Sequence, residues 1–102
     1  MKVMVRSIMK VFPGKIAEAM ELEGKHIAIA NRVLGIPGRC YRPLSGGGDV
    51  MNTIISEGEF DSLAAFEAHP KKMGADPEMR ALMPKLEAVI KSMEVEFYLP
   101  VP

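Results

Sequence analysis

The chain has 102 residues, 48% of them hydrophobic and 25% charged, which describes one ordinary globular domain. Thirteen basic residues balance thirteen acidic ones, and this zero net charge removes the electrostatic case for nucleic-acid binding. The single cysteine excludes an intrachain disulfide and makes a reducing, cytoplasmic setting the default expectation.

Lys2 to Phe12 reads as a strand, with Val3, Val5, Ser7, Met9 and Val11 on one face. Met4, Arg6, Ile8 and Phe12 share the other face with two lysines. Charges interrupt the apolar residues, so the segment is neither a signal peptide nor a membrane span, and no membrane association is expected. Pro13-Gly14 closes the strand, with Pro13 suited to a helix entrance.

A helix is predicted from about Lys15 to Leu34, stopped by Gly35 with Pro37-Gly38 beyond. Gly24 inside it weakens the helix by up to about 1 kcal/mol relative to alanine. Advancing about 100° per residue gives an apolar arc bordered by Leu22, Ile29 and Val33 on one side. Ile16, Met20, Ile27 and Leu34 mark the other border, whereas Glu18, Glu21, Lys25 and Arg32 form the solvated face. Glu23 and His26 fall inside the apolar arc, one turn apart.

Arg39 to Leu44 and Val50 to Gly58 read as two short strands joined by "SGGGD". The triple glycine lacks phosphate-loop and dinucleotide-loop spacing, and no helix follows directly, so a mobile hairpin connection is expected. Cys40 is expected to be a small buried hydrophobe. "EFDSLAAFEAHP" begins a second helix, with Asp61 as N-cap and Pro70 as its limit. His69, beside that proline, is expected to be exposed.

A further helix begins at Asp76-Pro77-Glu78, with Pro84 expected to kink or divide it. Leu82, Leu86, Val89 and Ile90 form its inward stripe. Met93 to Leu99 alternates as a final strand, with Val95, Phe97 and Leu99 opposite Glu94, Glu96 and Tyr98.

The order β-α-β-β-α-β predicts an α+β, ferredoxin-like domain spanning residues 1–102, a four-stranded antiparallel sheet with helices on one face. The uncovered sheet face carries apolar residues, so a homodimer through that face is expected. The segment "GEFDSLAAFEAHPKKMGADPEMRAL", Gly58 to Leu82, resembles the dimeric α+β barrel superfamily, and within it the NIPSNAP-like and antibiotic-biosynthesis-monooxygenase-like groups. In those groups a strand leads through Glu-Phe and a helix into a similar "ADPE-x-RAL" stretch. The resemblance implies a homodimeric barrel with a small-molecule pocket between sheet and helices in each subunit. Activities across the superfamily are diverse, so the fold transfers no reaction. This chain has no tryptophan, a residue that haem-degrading and polyketide-oxidising members often place in the pocket. No catalytic residue is carried over.

The candidate chemistry rests on Glu23 and His26. They are either a satisfied polar pair in a sealed core or at a helix edge, or the wall of a polar indentation that binds a ligand. In the second case Glu23 orients and polarises His26, which exchanges a proton with a small apolar or aromatic molecule. Isomerisation or cofactor-free oxygenation is then the expected reaction class, with non-catalytic ligand binding as the alternative. Arg6, Arg42 and Tyr98 are candidate cationic or phenolic contacts from the strands, each arginine being equally open to an interchain salt bridge. Met20 and Ile27 are candidate apolar contacts. Two histidines and one cysteine without ligand spacing give no basis for a metal site, and no cofactor is expected.

Overall fold

A computed structural model describes residues 1–46 and 48–102. Strand β1 (Val3–Val11) leads into helix α1 (Ile16–Leu34), then β2 (Arg39–Tyr41), β3 (Thr53–Phe60), α2 (Leu63–Gly74), α3 (Pro77–Val89) and β4 (Ile90–Tyr98). The sheet order is β2-β3-β1-β4, with all neighbours antiparallel, which is the ferredoxin-like arrangement. The predicted α+β ferredoxin-like fold class and the order of elements along the chain are those observed, with α2 and α3 in the place of the second helix. Among the described residues no helix is long and apolar enough to cross a membrane.

Several boundaries differ from the sequence reading for identifiable reasons. β2 is only three residues long, and Val50–Asn52 forms a short 3-10 turn instead of starting β3. Asp49 holds that turn: its carbonyl accepts from Thr53 Oγ1 and its carboxylate from Asn52 Nδ2. Met51 is therefore exposed outside the strand. Gly47, in the middle of the SGGGD connection, lies outside the described residues. Cys40 is exposed, not buried, because β2 is a short edge strand whose three residues are all exposed.

The cap of α2 is Ser62, whose side chain accepts from Ala65 N–H at 3.0 Å; Asp61 lies one residue outside. Pro70 does not end that helix, which continues to Gly74. Proline lacks the N–H that would bond the Phe66 carbonyl four residues back. His69 Nδ1 replaces it, donating to the Phe66 carbonyl at 2.6 Å. Pro84 likewise lies inside an undivided α3, on its exposed side, where hydration can serve the Arg80 carbonyl left without a partner. Asp76 caps α3 as expected, accepting from Met79 N–H, and receives two bonds from Arg32 at 2.9 Å.

Entry to α1 follows the expected punctuation. Pro13-Gly14 forms a turn closed by Lys15 N–H on the Phe12 carbonyl, with Gly14 at a positive φ of 81°. At the other end Gly35 adopts the left-handed conformation and its N–H caps the Asn31 carbonyl.

The three helices cover one sheet face. Register sets that face: Ile54, Met9 and Met93 form one cross-strand row; Ser56, Ser7 and Val95 the next; Gly58, Val5 and Phe97 a third. A dense core sits at one end, where Met9, Ile29, Ile54, Leu82 and Val89 are buried together. A smaller cluster at the other end joins Val3, Val5 and Phe60. The opposite sheet face carries Met4, Arg6, Ile8, Glu57 and Tyr98, with no helix over it.

Candidate functional site

Between the two core clusters the inner face of the sheet presents Ser7, Ser56 and Gly58. These small residues fill little of the space beneath the helices, and a cavity of about 570 Å3 opens above them. Gly58 makes room for Ile36, which also lines the cavity: a Cβ there would lie 3.3 Å from Ile36 Cγ2, and the isoleucine would have to shift. The roof is α1, and the far wall comes from α2 and α3 through residues such as Phe66, His69 and Met79.

Glu23 and His26 face this space from α1, as their place in the apolar arc predicts. Glu23 is 3% exposed, yet both its oxygens are engaged: Oε1 accepts from His26 Nδ1 at 2.9 Å and Oε2 from Ser56 Oγ at 2.6 Å. A buried carboxylate costs several kcal/mol, of order, unless it is paired and hydrogen-bonded, and here both conditions hold. His26 stays half-buried at the cavity wall. The bond to Glu23 raises the His26 pKa above its ordinary 6.5, a shift that burial of the ring opposes and the Glu23 charge assists. Because a carboxylate only accepts, the proton of neutral His26 sits on Nδ1, and Nε2 carries the lone pair.

The other sequence candidates are distributed. Ile27 lines the cavity beside His26, whereas Met20 packs against the dense core. Arg6 and Tyr98 lie on the opposite sheet face. There Arg6 bonds Glu57 Oε1 through Nε and Nη2, at 2.9 and 2.7 Å, and its guanidinium lies 5.0 Å from the Tyr98 ring centre. Tyr98 in turn donates to Glu96. Arg6 thus makes its salt bridge within the chain. Arg42 is exposed and donates to the Met51 carbonyl at 3.2 Å. Among the described residues no lysine or arginine lines the cavity.

Two contributors escaped the sequence reading. Ser56 was legible as a polar residue among Ile54 and Phe60 on the inward face of β3. His69 was expected to be exposed but lines the cavity, its ring packed against Phe60 and Phe66 with centroids 5.5 and 4.7 Å away. Its signal was the His-Pro pair inside a helical pattern, where the proline frees a carbonyl that the preceding imidazole can take. Phe66 also meets Phe97 edge-on, so one end of the cavity is aromatic.

With this geometry the comparisons with known proteins acquire meaning. The NIPSNAP family model matches residues 9–102. The chain belongs to the NIPSNAP family. A NIPSNAP family protein from Agrobacterium tumefaciens superposes with a TM-score of 0.85 at 24% identity, over 98% of this chain and 86% of that one. An uncharacterized NIPSNAP domain protein from Burkholderia xenovorans gives 0.79 at 21% identity, over 99% and 95%. SnoaB, a cofactor-independent oxygenase from Streptomyces nogalater, gives 0.72 at 17% identity, over 99% and 94%. At these identities the solved structures establish a shared fold. No curated protein matches the chain. The NIPSNAP assignment agrees with the resemblance carried by Gly58 to Leu82.

Proposed function

We propose that this NIPSNAP domain binds a small apolar or aromatic molecule beneath α1 and exchanges a proton with it through His26. The supporting observation is the Glu23 carboxylate, buried and held between Ser56 and His26 at the wall of an open cavity. In this reading Nε2 of His26 removes a proton from an acidic C–H or O–H of the substrate, and the Glu23 charge stabilises the resulting imidazolium. Returning the proton to a different atom isomerises the substrate. Reaction of the carbanion with dioxygen would instead oxygenate it, the reaction class of the cofactor-independent oxygenase SnoaB. The chain would work as a homodimer, its uncovered sheet face closing against a second copy.

One observation favours the second reading, ligand binding without turnover. Arg6, Arg42 and Tyr98 all lie away from the cavity, so among the described residues no lysine or arginine stands ready for a developing oxyanion. Mass spectrometry of small molecules co-purifying with the protein decides the ligand class. Turnover of that ligand by the wild type and its loss in His26→Ala would establish the proton exchange. Normal turnover in His26→Ala would refute it. Light scattering tests the assembly, and a monomer at micromolar concentration would remove the dimer from the account.

A further inference from the structure

Both histidines of the chain line the same cavity, and both have Nδ1 committed. His26 Nδ1 donates to the Glu23 carboxylate and His69 Nδ1 to the Phe66 carbonyl, two groups that can only accept. Each neutral ring is therefore fixed in one tautomer, with Nε2 as its remaining polar atom. No hydrogen bond among the described residues engages either Nε2, and no side-chain nitrogen is buried without a partner. Each Nε2 thus keeps open surface.

The two rings stand over different parts of the floor. His26 is linked through Glu23 to Ser56, whereas His69 packs on Phe60, four residues farther along β3. Four strand residues span about 13 Å. Between Ser56 and Phe60 lies Gly58, which presents no side chain, and the His69 end is aromatic, with Phe60 and Phe97 each edge-on to Phe66. The two imidazoles are thus held on different elements of the cavity wall, His26 on α1 beside the polar Glu23–Ser56 pair and His69 on α2 beside the aromatic Phe60 and Phe66.

We infer that His69 is a second ligand-binding residue, and that the cavity takes a flat, elongated molecule with an oxygen function at each end. One oxygen meets His26 Nε2 and the other meets His69 Nε2. The inference rests on the reading of the cavity as a binding site for an aromatic molecule, and adds what the far end of that molecule must carry. His-Pro is the device that makes it possible: Pro70 frees the Phe66 carbonyl, that carbonyl fixes the His69 ring, and the fixed ring presents a bare nitrogen.

The test uses two fluorescent probes, 2-naphthol with one hydroxyl and 2,6-dihydroxynaphthalene with one at each end, titrated into the full chain. The wild type should bind the diol about fivefold more tightly than the mono-ol, the worth of one net hydrogen bond. His69→Phe should abolish that preference while still binding 2-naphthol, which also shows that the variant is folded. His69→Gln keeps a hydrogen-bonding side chain and should weaken the preference without erasing it, so it serves if the phenylalanine variant does not fold. A wild type that binds both probes equally, or variants that keep the full preference, would overturn the inference alone. Failure of the wild type to bind either probe would remove the aromatic-ligand reading and the inference with it.

Discussion

The two ends of the sheet–helix interface were built from the same kinds of element but filled differently. At one end Met9, Ile54, Ile29 and Val89 meet in a closed core, each no more than 3% exposed. Towards the other, before the smaller Val3–Val5–Phe60 cluster, Ser7, Ser56 and Gly58 occupy the equivalent inward positions and leave a cavity. Neighbouring cross-strand rows thus do opposite jobs, because large side chains fill the space beneath the helices and small ones leave part of it open. Stability should concentrate in the first region, and ligand recognition in the second.

Substitutions can break that division. Ile29→Ala, in the closed end, should cost about 2–5 kcal/mol in chemical denaturation, as deletion of a fully packed side chain does. Ser56→Ala, in the open end, removes one of two partners from a buried carboxylate and should cost about 1–3 kcal/mol. It should also weaken retention of any ligand held at His26. A closed-end loss no larger than the open-end one would deny the division of labour.

Gly24→Ala sharpens the comparison from the roof. Gly24 is exposed, has no positive φ, and a Cβ there meets nothing within 4 Å. Nothing in the structure explains this glycine, so the alanine variant should be more stable by up to about 1 kcal/mol, read as a higher denaturation midpoint. The smallest effect belongs to the Arg32–Asp76 pair that ties α1 to α3 at the surface. The Arg32 bond holds the Asp76 carboxyl below its ordinary range. Its contribution is therefore present at neutral pH and fades as pH falls through that lowered value. Arg32→Ala should lower the neutral plateau slightly, leave stability at low pH unchanged, and so flatten the acid limb between them.

The sequence showed more of the closed end than of the open one. Leu82, Leu86, Val89 and Ile29 announce their burial by helical spacing, and β1 announces its two faces by alternation. Glu23 and His26 were legible as inward residues because polar groups inside an apolar arc stand out. The cavity was not legible, since empty space depends on which rows stack beneath which helix. Ser7 and Ser56 sit in separate segments and become neighbours only through the β1–β3 register. Pro70 was misjudged because propensity treats proline as a stop. A helix can pass through one when another donor satisfies the freed carbonyl, and His69 supplies it.

The central claim is that Glu23 holds His26 as a basic imidazole with a bare Nε2 facing an open cavity. Its direction with pH follows from the pair. A raised His26 pKa means that the stabilisation drawn from imidazolium and carboxylate is complete below pH 6.5 and is lost as pH rises through the raised value. Base activity would appear over that same rise. Nitrogen-15 NMR of the histidine rings across pH measures tautomer and pKa together. The account predicts neutral His26 with its proton on Nδ1, titrating above 6.5, and a downward shift in Glu23→Gln. A proton on Nε2, or a titration at or below 6.5 that Glu23→Gln does not move, would contradict it.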